Sequence, residues 1–586
     1  MIEKGEKNMD RIIKSLVEDL LKTQEMTAEN EDKDFERFVN YCIISREYNR
    51  SFDLEDTLTG SGDDTGIDGI GIIVNGQLME NTEDIDFFIN NNKFLEVTFV
   101  FTQAKTSSDF SSSEINNFAF GVKDFFAEKH KLRRNKTIQG FIDISNHIFD
   151  NAQYLKVNPT CKLFYVTNGV YRSDQNNEAV RKTTITDLDQ TKLFSEVNFD
   201  IYGSSEITKI YRDSKNTVTT TIIFQAKVTL PEIPLIKESY LGIIPLSELS
   251  KLILDENGNV RNIFYDNIRD FEGFNNPVNK GIMETLKGKA PEIFAVLNNG
   301  ITVVASKLRP SANKFTITDY QIVNGCQTCY VLADYLKKNM ESDISLPIKL
   351  IITENDEIAN RITVATNSQT AIKREQLQAM TEFQKNLELY YSSFKGDNQL
   401  FYERRSGQYQ SDSNVIKARI INIQNQIKAF SSIFYENPDR VTTYFGSVVK
   451  QNVEIEDPKI FNTNHQYQLY YLSGLAYYRL DSLFRSRSIG PRYRKIRFFL
   501  LMLFRMILSP KTLEMQYMNS KKKVSQYCDP IIKVLNDKKK TLKVFEKAVE
   551  IVNLSKVDID DKQSIKQTVF TNDLKKAYYK IYKAKE

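Results

Sequence analysis

Histidine and cysteine are scarce in this 586-residue chain, and their scarcity removes whole classes of chemistry. The three histidines (His130, His147, His465) and five cysteines (Cys42, Cys161, Cys326, Cys329, Cys528) are scattered. An odd, dispersed cysteine set argues against a disulfide scaffold and suits a reducing cytoplasm. Cys326 and Cys329 form half of a zinc or redox pair, but no second pair completes it, so two buried small residues one helical turn apart are expected. Long apolar runs are also missing. The longest, Phe498–Leu508, is broken by Arg505 and falls far short of a membrane span, which predicts a core helix. Met1–Asn30 is charged throughout, so no signal peptide is expected. No low-complexity tract or internal repeat interrupts a composition of the soluble globular kind.

At roughly 150 residues per domain, the length predicts three or four units. A net charge of +3 conceals an asymmetry. Asp481–Glu586 carries 25 Lys/Arg against 11 Asp/Glu, a surplus of 14, which leaves residues 1–480 at −11. Such a tail either holds a phosphate backbone or presents solvated helix faces. Within it, Arg485–Arg497 has six basic residues around Gly490-Pro491, and Arg492, Arg494 and Lys495 are the expected phosphate contacts.

The central stretch is Phe99-Val-Phe-Thr-Gln103-Ala-Lys105, apolar on both faces until a polar tip, the pattern of a strand buried between helices. A strand period of two puts Gln103 and Lys105 on one face above Phe101 and Phe99, with Ala104, Thr102 and Val100 opposite. Upstream, helices are predicted at 9–23 and at Asp32–Arg50, the latter carrying Glu36 beside its apolar stripe. Asp63–Gln77 reads as loop, strand and Asn-Gly turn. After the central strand come a helix at Ser111–Ala127 and strands at Cys161–Thr167 and Val197–Tyr202. Hard divalent ions take oxygen ligands. Asp68, the Gln103 amide oxygen and the Ala104 carbonyl are candidate metal ligands, Lys105 the cation beside a nucleophilic water, and Glu36 a further acid. The plainer alternative is that Asp68 fixes a glycine-rich turn while Gln103 and Lys105 cap a sheet edge.

Asp68, then Gln103-Ala-Lys105 on the next long strand, with Glu36 in a preceding Phe-Glu-x-Phe helix, resembles the PD-(D/E)XK restriction-endonuclease-like superfamily over roughly residues 10–225. The variant with Gln in place of the usual acid is found among Mrr-like members. That resemblance implies Mg²⁺- or Mn²⁺-dependent endonuclease activity, on DNA ahead of RNA. A site that cuts one strand at a time implies a homodimer or larger assembly for double-strand cleavage. A non-catalytic nucleic-acid-binding protein, or a nucleotide-sensing switch or scaffold, is the alternative.

Beyond Pro231, carboxamides crowd strand ends and turns: Asn298-Asn299-Gly300, Asn324-Gly325-Cys-Gln327-Thr328, Asn367-Ser-Gln369 and Phe401-Tyr-Glu-Arg404-Arg405. These blocks from Pro234 to Gln408 resemble the AIPR family, named for abortive infection and phage resistance, which implies phage defence. Their layout is similar to ParB/sulfiredoxin-like folds, implying a nucleotide site in which Arg269, Arg404 and Arg405 clamp phosphates. A carboxamide network that pins a core is the alternative. The expected architecture is therefore multidomain α/β plus α. It comprises a nuclease-like α/β domain over 1–230, an α/β AIPR domain over 231–410 and a basic, mainly helical region over 411–586.

Overall fold

The computed structural model describes residues 9–582, apart from 49–50, 61, 216–217, 256–257, 259, 262, 265–276, 289, 337–343, 368–381, 405–407, 410–411, 413, 444, 454, 456, 556 and 560. The chain is a multidomain α/β protein with two mixed sheets and an extensive helical region. Among the described residues no helix is long and apolar enough to cross a membrane.

The first sheet has five strands, β1 (Gly69–Val74), β2 (Gln77–Leu78), β3 (Val97–Lys105), β4 (Thr160–Thr167) and β5 (Glu196–Tyr202), in the order β2-β1-β3-β4-β5. Asn75 and Gly76 both adopt positive φ between β1 and β2, as a tight hairpin turn requires. β3 pairs antiparallel with β1 and parallel with β4. Its two faces divide as the alternation predicts. Phe99 and Phe101 pack under helices α4 (Ser112–Phe125) and α5 (Lys136–Asp150), while Val100 and Ala104 pack with α1 (Arg11–Thr23), α2 (Glu31–Glu47) and α7 (Ser204–Lys215). Burying each such phenyl ring contributes about 1.5–3 kcal/mol. Two further helices complete the unit: α3 (Glu83–Asn92) and α6 (Gln175–Gln190).

The second sheet has six strands in the order β6-β10-β9-β11-β8-β7. They are β6 (Thr219–Ile223), β7 (Ala226–Thr229), β8 (Glu238–Pro245), β9 (Ile301–Ser311), β10 (Lys314–Asn324) and β11 (Ser345–Ile352). Strand pairing thus passes to the second sheet between Lys215 and Thr219, ahead of the division at 230 expected from composition. Helices Leu246–Ile253, Pro277–Lys287 and Cys326–Leu336 cover one face. Cys326 and Cys329 are both buried at the start of the last of these.

A third core runs from Phe383 to Tyr578. It therefore begins on the helix Glu382–Ser392, inside the segment assigned by sequence to the middle domain, and includes the short parallel pair β12 (Phe401–Glu403) and β13 (Ile420–Asn422). Tyr470, Tyr471, Tyr477 and Tyr478 of the helix Tyr467–Arg485 are buried in it, as is nearly all of Arg497–Leu508. Arg505 is fully buried and donates to the Ile433 carbonyl at 3.2 Å while pairing with Glu436.

The acidic first unit and the basic helical region meet. Arg497 lies 3.2 Å from Asp53, 3.0 Å from Asp56 and 3.4 Å from Glu80. Arg494 pairs with Asp53 and reaches Asp481 at 3.3 Å. Arg419 and Tyr478 both bond Glu25 at 2.8 Å, Arg487 pairs with Glu29, and Lys566 pairs with Glu83.

Candidate functional site

Antiparallel register brings the site together. Gly69 of β1 stands opposite Thr102 of β3, so Asp68, the residue before β1, reaches Gln103. Asp68 donates its backbone N–H to the Thr102 carbonyl at 2.9 Å. Its Oδ2 accepts from the Ala104 N–H at 2.8 Å and from Gln103 Nε2. Two close approaches set this geometry. A Cβ on Gly69 would stand 2.2 Å from Asn40 Oδ1, and one on Gly121 would stand 2.0 Å from the Thr65 carbonyl. Glycine at these two positions lets α2 lie against the start of β1 and the Asp64–Ile67 loop against α4.

Asp68 is 7% exposed. Burial, together with the Glu36 carboxylate, pushes its pKa up to about 7, against the opposing Ala104 amide and Lys105 charge. Burial also raises Glu36, although Lys33, one helical turn before it, pairs with it and Lys105 adds a second positive charge. Burial opposes the charge on Lys33, yet the bond to Glu36 holds its ammonium above the ordinary value. The site is thus a buried carboxylate beside a half-buried one, a pair that resists carrying two negative charges, faced by two lysines. Gln103 presents Nε2 to Asp68; turning the amide over would put Oε1 in its place.

Sequence reading brought Asp68, Gln103, Ala104, Lys105 and Glu36 to one place, and the structure adds Lys33, Asp64, Glu114 and Tyr165. Asp64 Oδ1 accepts from the Gly66 N–H at 3.0 Å, and its charge raises the pKa of both acids. Tyr165 stands opposite Gln103 on β4 and donates to Glu114 at 3.2 Å. The i,i+3 spacing of Lys33 and Glu36 was a usable signal. Glu114 and Tyr165 had none, since only strand register makes them neighbours. Among the described residues no three His, Cys, Asp or Glu side chains cluster as a metal cage.

In the second unit the two Asn-Gly turns abut. A Cβ on Gly325 would lie 3.1 Å from the Gly300 carbonyl. Asn298 Nδ2 donates to Thr328 at 3.1 Å, and Asn279 Nδ2 donates to Gln327 at 2.8 Å. Asn324 ends β10 and Asn299 is exposed. Arg404 instead sits in the helical unit, bonded to Glu388 at 2.5 Å. Arg269, Gln369, Arg405 and the Asn367 side chain lie outside the described residues. Of the predicted phosphate contacts, Arg494 is engaged by Asp53 and Asp481, while Arg492 and Lys495 are exposed.

Fold and site together define a multidomain α/β protein with an acid–amide–lysine cluster at the tip of its first sheet's central strand. A family model described as AIPR protein matches residues 264–585, more than half of the chain, and the chain belongs to that family. The match runs well past Gln408, where the sequence resemblance stopped, and takes in the helical region almost to its end. Membership suggests a role in phage defence. No curated protein and no solved structure matches the chain.

Proposed function

We propose that the protein is a metal-dependent nuclease of a phage-defence system, with its chemistry in the restriction-endonuclease-like first unit. The observation that carries this reading is the convergence of Asp68, Gln103, Lys105 and Glu36, from a loop, a central strand and a facing helix, on one partly dry corner. The donor set is all oxygen, which suits Mg²⁺ or Mn²⁺ over softer ions. A buried acid and a half-buried one that repel one another are the electrostatic condition that a divalent cation relieves.

Asp68, the Gln103 amide oxygen and the Ala104 carbonyl would hold the ion, which supplies acidification of a water and neutralisation of charge on phosphorus. Lys105 orients the attacking water and stabilises the charge that develops. Glu36, kept basic by burial yet held in place by Lys33, accepts a proton from that water. A plasmid-nicking assay with Mg²⁺ or Mn²⁺ on wild type, Asp68→Ala and Lys105→Ala tests the reading. Cleavage by wild type and a drop of at least a hundredfold in both variants are expected. Equal cleavage by all three, or none by any on DNA and RNA, refutes it.

A further inference from the structure

The sequence pointed to Arg485–Arg497 as the phosphate grip, but Arg485, Arg487, Arg494 and Arg497 of that stretch are engaged by acids of the chain itself. A different basic segment lies beside the candidate site. Lys129–Lys136, between α4 and α5, reads Lys-His-Lys-Leu-Arg-Arg-Asn-Lys, five Lys/Arg in eight residues. Lys129, Lys131, Arg133 and Lys136 are exposed. Among the described residues none of the five forms an ion pair, and the buried Nη1 of Arg134 has no hydrogen-bond partner.

This loop is built rather than loose. Asp124, buried near the end of α4, accepts from the Lys131 N–H at 2.6 Å, and its carbonyl accepts from His130 Nδ1 at 2.7 Å. Asn135 fixes the other end. Its side chain caps α5 through the Thr137 and Ile138 amides, and it also donates to the Thr59 and Gly62 carbonyls at 3.0 Å each. Its backbone N–H donates to the Asp63 carbonyl at 2.8 Å. Thr59 in turn donates its N–H to the Asp68 carbonyl at 3.2 Å. Asn135 therefore ties the basic loop to the turn that carries Asp68, and Lys33 reaches the Gly60 carbonyl of the same turn at 3.5 Å. Cations on a loop whose backbone is already held, and which form no internal ion pairs, cost little loop ordering or pairing energy when phosphates bind.

We propose that the Lys129–Lys136 loop docks the phosphate backbone of a nucleic acid alongside the Asp68 cluster. Cleavage of the docked strand rests on the nuclease reading, but the docking itself is measurable without it. Anisotropy titrations use the full chain in an Asp68→Ala background, with a labelled 30-base-pair DNA and a labelled 30-nucleotide RNA, from 0.05 to 0.2 M salt. The loop variant changes Lys129, Lys131, Arg133 and Lys136 to Gln, leaving Arg134 and Asn135 intact. A charge-matched control changes the exposed Lys521, Lys522, Lys523 and Lys539 to Gln.

The loop variant should bind at least about tenfold more weakly at 0.15 M salt, with the log–log salt slope on duplex DNA reduced by about 3–4, while the control stays within about twofold of the parent. Loss on either nucleic acid supports the surface and identifies what it takes. Binding and slope equal to the parent on both, or equal losses in loop variant and control, overturn the proposal and leave the loop for an acidic protein surface. Loss of binding with no cleavage by wild type supports the surface while removing the nuclease reading. Cleavage abolished by Asp68→Ala with loop-variant binding intact does the reverse.

Discussion

Asp68 is the residue on which the site's charge turns. Its carboxyl is pushed up to about 7 by burial and by Glu36, so the folded chain holds that proton at pH values where an unfolded chain, with an ordinary carboxyl near 4, has released it. Stability from this group is therefore present below about pH 4, declines as pH rises, and is gone above about 7. Asp68→Asn removes the decline. Its thermal unfolding at pH 8, without divalent ions, should occur a few degrees above wild type, and the two should converge at pH 4. A wild-type midpoint equal to or above that of the variant at pH 8 would contradict the assignment. Gln103→Glu tests the neighbouring position from the other side. A third carboxyl beside Asp68 and Glu36 should lower the midpoint at pH 8 by several degrees. If the proposed ion site is correct, millimolar Mn²⁺ should restore it, and restore it by more than it raises wild type, because the added acid would supply a further negative ligand.

At the scale of elements, the site depends on how closely the Asp64–Ile67 loop lies on α4. Gly121→Ala places a methyl 2.0 Å from the Thr65 carbonyl, so either the loop or the helix must move. The expected cost is about 1–3 kcal/mol in thermal or urea unfolding, and the cleavage proposed for this site should fall far more than stability, because the displaced loop leads into Asp68. The sequence made the central strand, its face assignment and the Asn-Gly turn legible, since these follow from local periodicity and turn chemistry. It did not reveal α5, α6 or α7: α6 carries little apolar periodicity, whereas the amphipathic pattern of α5 and α7 was a usable signal. It also left Tyr165 and Glu114 unseen, because their meeting with the site is made by parallel pairing across a long intervening stretch of chain. In the middle unit the crowded carboxamides were legible as a group, and their bonds to one another, Asn298 to Thr328 and Asn279 to Gln327, required the fold.

Across the whole molecule, part of the charge asymmetry visible in the sequence is internal. Arg485, Arg487, Arg494, Arg497 and Lys566 face acids of the first unit, and one chain of contacts leads to the site: Arg487 pairs with Glu29, Glu29 pairs with Arg37, and Arg37 follows Glu36 on α2. Arg497 is the centre of the interface. It is buried against Asp53, Asp56 and Glu80, and burial pushes Asp56 up to about 6 even with Arg497 beside it. Arg497→Met keeps the packing volume but removes one of the two guanidiniums that face these acids, Arg494 being the other, and the loss stays below the roughly 3–5 kcal/mol of a fully stranded buried charge. The cost has a pH signature. Without Arg497 the Asp56 pKa rises further, so at pH 5 the carboxyl takes a proton and much of the penalty disappears, whereas at pH 8 it must ionise with Arg494, 3.5 Å away, and Lys428 as its remaining cations. Urea unfolding of the full chain should therefore show a large loss for Arg497→Met at pH 8 and a much smaller one at pH 5, with Asp56→Asn in the same chain recovering part of the loss at pH 8. An equal loss at both pH values would mean that Arg497 acts through packing alone. The AIPR region would then hold the first unit by shape, without the charge pairing that links it to Glu36.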